Sequence, residues 1–231
     1  MGKIILVRHG KAGFGQDDYD QLSKTGKYQA MVTGRYFQKA KIMPTSVYSG
    51  TLKRQKETAE IAKSYAGFSM PIQSDPIYNE YDYEGIIDTY LPALIAENAA
   101  ITSDIANAFT DYSIFERVFN KLLKRWVSEK NPSEPLESFA VYTRRVIQGI
   151  ENISQNQNKD DIAIVFTSGG LIAMSMHLLL GLTPVEALKL GWVIYNCSVT
   201  SFIFVKESYQ LQTFNAVTHL ELEDDGLVTI I

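Results

Sequence analysis

Lys3-Ile4-Ile5-Leu6-Val7-Arg8-His9-Gly10 is an unbroken apolar run that stops at an arginine, a histidine and a glycine. Apolar residues in succession, without alternation, fit a strand covered on both faces. In open α/β sheets ligands bind at the carboxyl ends of parallel strands, so Arg8 and His9 stand where a site is expected. Taken alone, the pair reads as two ordinary loop residues that follow a strand. The rest of the chain weighs against that reading.

A second run of the same kind, Ile162-Ala163-Ile164-Val165-Phe166, is followed by Thr167-Ser168-Gly169-Gly170 and a helical pattern from Leu171 to Leu180. A Ser-Gly-Gly turn from strand to helix offers a hydroxyl and several backbone N–H groups to an anion. A tight turn that uses glycine for geometry alone is the alternative. Between the two runs, Ser46-Val47-Tyr48-Ser49 reads as a short strand after Pro44, and Thr51 to Ala62 as a helix. Arg54 falls in its first turn, where the helix dipole disfavours a cation unless an anion offsets it. A solvated arginine beside Lys53 and Lys56 is the other reading.

Outward from these pieces, Lys11 to Asp20 is a polar, glycine-bearing segment that reads as a site-lining loop. Ser23 is the expected N-cap of a helix through Met31, Val32, Tyr36 and Phe37. Met70 to Ser74 is expected to form a third strand. The stretch Tyr78-Asn79-Glu80-Tyr81-Asp82-Tyr83-Glu84 places three carboxylates among three tyrosines. Like charges drawn close and partly desolvated favour a protonated carboxyl, which makes one of them a candidate general acid. A polar loop with solvated acids accounts for the segment equally well.

From about Ile86 to Ile153 the pattern turns helical, with Phe115, Val118, Phe119, Leu122, Leu123, Trp126 and Val127 at three- and four-residue spacing. It is broken at Asn131-Pro132-Ser133-Glu134-Pro135 and resumes at Glu137. Its aromatic stripe reads as core. Ser198 to Val205 and Gln210 to Phe214, separated by Lys206-Glu207-Ser208-Tyr209, read as a terminal β-hairpin. The expected architecture is an α/β three-layer sandwich, a mostly parallel sheet flanked by helices, forming a single domain over residues 1–231 with a helical insertion at about 86–153.

The composition is that of an ordinary globular protein: of 231 residues, 45% are hydrophobic and 21% charged. A net charge of -4 leaves no footprint for nucleic acid or for a membrane surface. One cysteine, Cys197, rules out an intrachain disulfide and a cysteine-based metal cluster. With no basic leader and no apolar stretch of membrane-spanning length, a cytoplasmic protein is expected.

Four separated pieces, Leu6 to Gly10, Leu22-Ser23 through Gly26 to Ala30, Ser49 to Ala59 with Leu52-Lys53-Arg54, and Ile162 to Leu171, together resemble the histidine phosphatase superfamily, the phosphoglycerate-mutase-like fold. The resemblance runs along most of the chain. It implies a phosphatase of small phosphomonoesters that works without a metal or other cofactor and forms a phosphohistidine on His9. It implies further that Arg8 and Arg54 bind the phosphoryl oxygens together with Ser168 and Gly169, and that Glu80 is the acid. Asp82 is the neighbouring alternative. The chain departs from the family pattern at one central place: Ser168 stands where the family has its second histidine. A serine keeps a donor but loses the positive charge, and loss of one preorganised donor typically costs about 10²–10³ in rate. His177, nine residues further along a helix, is about 13 Å from that position. His219 could be carried toward the sheet edge by the loop after the hairpin, although a structural role is the simpler expectation.

Three other functions compete. A weak or inactive member would hold a phosphate ligand without turnover. A phosphoglycerate-mutase-type phosphotransferase is disfavoured, because the residues after Gly10 lack the mutase-like continuation. A serine hydrolase built on Ser168 fits less well still, since Phe166 occupies the first glycine position of the Gly-x-Ser-x-Gly elbow.

Overall fold

The computed structural model describes residues 1–13, 20–98, 101–108, 111–130, 132, 135–205 and 208–230. Parts of four stretches named above lie outside them: 14–19 of the loop after Gly10, 99–100 and 109–110 of the helical stretch, 131, 133 and 134 of the proline-bearing break, and 206–207 of the hairpin turn.

The opening run forms β1 (Gly2–Arg8), and Ile4 to Val7 are all essentially inaccessible to solvent. Such a run must be covered from both sides, and the sheet supplies this. Six strands, β1, β2 (Ser46–Ser49), β3 (Ile72–Ser74), β4 (Ile162–Thr167), β5 (Val199–Val205) and β6 (Ser208–Ala216), lie in the order β3-β2-β4-β1-β5-β6. The first four are parallel, and β5 and β6 add an antiparallel edge. The fold is an α/β sandwich, its sheet flanked by helices. On one face Ile5, Val7, Val47, Ile164 and Phe166 pack with Phe37 of α1 (Lys24–Lys39) and with Ala59 and Ala62 of α2 (Lys53–Ala66). The other face is met by α7 (Gly169–Leu180), a largely apolar helix whose residues Leu171 to Met176 are all buried.

Helix starts follow local chemistry. Ser23 caps α1 by accepting from the Gly26 N–H at 3.1 Å. α2 ends at Gly67, whose φ of 75° puts it in the left-handed conformation that glycine tolerates. Gly10 and Gly26 answer a different need. A Cβ on Gly10 would lie 2.4 Å from the Gly26 carbonyl oxygen, and one on Gly26 would lie 2.1 Å from the Lys11 carbonyl oxygen. The turn after β1 therefore rests directly on the backbone of α1.

The chain divides into two compact units, residues 1–80 with 146–231, and residues 81–145. The second unit is helical: α3 (Tyr83–Glu97), α4 (Ile101–Ala108), α5 (Tyr112–Ser128) and the first part of α6 (Phe139–Gln155). Its centre is the aromatic cluster expected from the spacing. Trp126 is fully buried, lies 5.1 Å from Phe139 edge to face, and packs with Tyr81 and Tyr142. Its indole N–H donates to the Glu137 carbonyl at 2.8 Å, so the one polar atom of the ring is satisfied.

His219 belongs to α8 (Thr218–Glu221) and is held against α1. Its Nε2 lies 3.2 Å from the Thr33 hydroxyl and its ring stacks on Tyr36 at 5.0 Å. These contacts hold the ring against α1. Burial lowers its pKa to about 4. Because the unfolded chain takes up this proton first, near 6.5, stability is full above that pH and falls as pH drops toward 4. The loss attached to this residue is roughly 3 kcal/mol. A His219→Gln chain is expected to show a shallower acid loss, measured by urea unfolding at pH 7.5 and 4.5; equal slopes would contradict it.

Candidate active site

The register of the central strands assembles the site. β1 and β4 pair in parallel with Arg8 opposite Thr167, and the His9 N–H donates to the Thr167 carbonyl at 2.8 Å. His9 and Ser168 therefore leave the sheet side by side. The strand end is fixed from the other side as well. The His9 carbonyl accepts from the Cys197 N–H at 3.3 Å and from Asn196 Nδ2 at 3.3 Å, and the Gly10 N–H donates to the Thr58 hydroxyl at 3.0 Å.

The His9 imidazole is buried, with Nδ1 2.8 Å from the Gly10 carbonyl oxygen and Nε2 3.2 Å from Nε of Arg54. A carbonyl can only accept and a guanidinium N–H can only donate. These partners assign the proton to Nδ1 and leave the lone pair on Nε2. Burial, then the charges of Arg54 and Arg8, hold the His9 pKa well below its usual value. The ring is thus neutral, with its basic nitrogen turned to the arginine. Arg8 is anchored by a hydrogen bond from Nη1 to the Ile194 carbonyl.

Arg54 sits in the first turn of α2, and the anion that such a position calls for is Asp20. Its carboxylate accepts from Arg54 Nη1 at 2.7 Å and from the Lys53 N–H at 2.8 Å. In the sequence Asp20 is only the end of a polar loop. The signal for such a partner is an arginine at a helix start with no acidic residue in that helix's own first turn.

Glu80 and Asp82 are separated by their partners. Glu80 Oε2 accepts from the Gly170 N–H at 2.8 Å, at the start of α7 and next to Ser168. Asp82 belongs to the helical unit, where it caps α3 by accepting from the Gly85 N–H at 2.9 Å. The segment carrying Glu80 is tied down by residues that motif reading passes over. Asn79 exchanges hydrogen bonds with Thr51, at 2.6 Å to its N–H and 2.8 Å to its hydroxyl, and the Tyr78 carbonyl accepts from the Thr167 hydroxyl at 2.7 Å.

Around Ser168 the expected turn is in fact a helix start. Ser168 is the N-cap of α7, and Gly169 and Gly170 are its first residues, two positions earlier than the apolar pattern indicates. Gly169 is not required by conformation, since its φ is not positive and an added Cβ would meet only ordinary contacts, the nearest 3.5 Å away. The Ser168 hydroxyl makes no cap bond; it accepts from Gln55 Nε2 at 2.8 Å. His177 is at the other end of α7, with Nδ1 2.6 Å from the Leu182 carbonyl oxygen. Among the described residues no group of His, Cys, Asp and Glu side chains could hold a metal ion, and no helix is long and apolar enough to cross a membrane.

This arrangement can bring a neutral nucleophilic nitrogen, two guanidinium groups and a carboxylate to one strand end. Known proteins resemble the chain along most of its length. The model of the histidine phosphatase superfamily (branch 1) matches residues 4–114 and 109–217. Among solved structures, phosphoserine phosphatase of Entamoeba histolytica is 21% identical with a TM-score of 0.64, over 95% of this chain and 100% of that one. Phosphoglycerate mutase of Bacillus anthracis is 17% identical with a TM-score of 0.65, over 95% of each chain. Mycobacterial glucosyl-3-phosphoglycerate phosphatase is 21% identical with a TM-score of 0.63, over 94% and 98%. At these identities the likeness is one of fold. No curated protein matches the chain.

Proposed function

The chain belongs to the histidine phosphatase superfamily, and from that premise we propose that it hydrolyses a small phosphomonoester through a phosphohistidine on His9. The observation that carries the reading is the hydrogen-bonded state of His9: Nδ1 fixed on the Gly10 carbonyl, Nε2 unprotonated and facing Arg54. In the first step the Nε2 lone pair attacks phosphorus and the ester P–O bond breaks. Glu80, as the acid, gives its proton to the departing oxygen. The Nδ1–H bond to the Gly10 carbonyl stabilises the positive charge that the ring gains. The Nε–H of Arg54 passes from His9 to a non-bridging oxygen, and Arg8 serves a second, so that guanidinium groups carry the charge of the transferring group. In the second step Glu80, now a carboxylate, takes a proton from water, which attacks phosphorus; the P–N bond breaks and phosphate leaves.

Residues 1–231 are read as one family domain in which the helical stretch is an insertion. A reducing, cytoplasmic setting belongs to the same reading, supported by a single, buried cysteine. Phosphate binding without turnover is the second reading, favoured by Ser168 at the place of the family's second histidine.

The two are separated by mixing the protein with p-nitrophenyl phosphate, quenching into alkaline denaturant and locating phosphate by mass spectrometry. Label on His9 is expected. Ligand-dependent stabilisation by phosphate with no phosphoenzyme would replace the first reading by the second. A Glu80→Gln variant is expected to turn over about 10²–10⁴-fold more slowly while labelled His9 accumulates. The reason is that p-nitrophenolate leaves without a proton, whereas attack by water still needs a base. Unchanged turnover would remove Glu80 from the chemistry.

A further inference from the structure

The family pattern puts an imidazole where this chain has Ser168, and the surroundings of that serine show an organised substitute. The Ser168 hydroxyl is at the N-cap of α7, where it would ordinarily accept from a backbone N–H of the first turn. Here it does not, because the Glu80 carboxylate accepts from Gly170 N–H at 2.8 Å. Gln55, fully buried and next in sequence to Arg54, takes up the hydroxyl instead. Its Nε2 donates to Ser168 Oγ at 2.8 Å and to the Tyr78 carbonyl at 3.3 Å, while its Oε1 accepts from the Leu52 N–H at 3.3 Å. A carbonyl can only accept and a backbone N–H can only donate, so the amide has one orientation. Turned over, it would set oxygen against the Tyr78 oxygen and N–H against the Leu52 N–H.

Gly50 makes room for this amide: a Cβ there would lie 1.8 Å from Gln55 Oε1. The fixed amide dictates the state of the serine. Ser168 Oγ must accept from Gln55, so its own O–H is left to donate. Among the described residues Ser168 has no partner for that proton. It leaves the sheet beside His9, on strands that neighbour each other at about 4.8 Å. A hydroxyl that accepts one bond is a stronger donor of the next.

We propose that Gln55 is a positioning residue that locks Ser168 as a neutral hydrogen-bond donor to a phosphoryl oxygen, in place of the family's second histidine. The inference rests on the phosphohistidine reading above and adds to it that the donor beside His9 carries no titrating charge.

Single-turnover phosphorylation of His9 by p-nitrophenyl phosphate, followed by rapid quench, tests it in a double-mutant cycle. Ser168→Ala is expected to slow phosphorylation about 10²-fold, and Gln55→Leu about tenfold. The double variant should be no slower than Ser168→Ala, because Gln55 acts only through that hydroxyl. Gln55→Glu supplies a pH signature. Protonated, it can still donate to Ser168; ionised, it accepts the serine proton and takes the donor away. Its rate should therefore fall with rising pH along a limb that the native protein lacks. Should the leucine variant not fold, Gln55→Met keeps an unbranched side chain of similar volume and carries the same expectation. Equal losses from Gln55→Leu in the native and Ser168→Ala backgrounds, or a Gln55→Glu profile parallel to the native one, would overturn the inference while phospho-His9 still forms. Absence of phospho-His9 in the native protein would instead remove the reading on which it rests.

Discussion

Replacing His9 by alanine is expected to abolish phosphoenzyme formation and to lower turnover of a phosphomonoester by about 10⁴-fold or more, the scale seen when a covalent nucleophile is removed. The loss should not be traceable to unfolding. His9 is buried, so alanine leaves a cavity and deprives the Arg54 Nε–H of its acceptor, but the backbone bonds that hold residue 9 to Thr167 and Cys197 do not involve the side chain. Far-ultraviolet circular dichroism and a urea midpoint would establish that the variant is folded. Residual turnover within tenfold of the native protein would refute the nucleophile assignment. In the native protein, protonation of this ring is not expected to limit phosphorylation until well below pH 6.5. Burial and the flanking arginines keep it neutral there, so an acid limb at or above that pH must come from another group.

The second large effect is expected at Arg54. Its Nε serves His9 and its Nη1 serves Asp20, so one planar group orients the His9 ring and meets the carboxylate at the start of α2. Arg54→Ala is expected to slow phosphorylation by about 10³-fold. Arg54→Lys should recover little, because a single ammonium cannot reproduce a fork that spans both partners. A second measurement distinguishes loss of charge from loss of shape. The Arg54 charge is the second cause, after burial, of the lowered His9 pKa. The alanine variant should therefore show His9 titrating at higher pH than in the native chain, followed by imidazole NMR. An unmoved titration together with an unmoved rate would show that Arg54 does neither job.

Much of this organisation is legible in the chain because it is local. Ile4 to Val7 and Ile162 to Phe166 announce buried parallel strands by composition alone, and the two Arg-bearing segments sit where such strands end. Ser23 announces its helix through one hydroxyl. Where reading fell short, the cause lies in contacts between distant segments. Asp20 meets Arg54 across 34 residues, Gln55 meets Ser168 across 113 and Thr167 meets Tyr78 across 89. None of these polar partners has a periodicity that marks it. The start of α7 is hidden because Gly169 and Gly170 look like a turn, whereas the Gly170 N–H is met there by a side chain from elsewhere, Glu80. His219 was open to a functional reading for the same reason, since its partners Thr33 and Tyr36 lie far back in the sequence.

The contact of Gly10 with Gly26 bears on how the protein tolerates change. Residue 9 is located by main-chain atoms: its N–H on Thr167, its carbonyl under Cys197, and the next residue seated on the α1 backbone with no side chain between. A residue placed by side-chain packing would drift whenever a neighbour in the core changed volume. His9 inherits the stiffness of the sheet and the helix themselves. Substitutions that trim the core should therefore drain folding free energy well before they disturb the geometry of attack, so that a damaged protein has fewer working copies while each surviving copy works at its full rate.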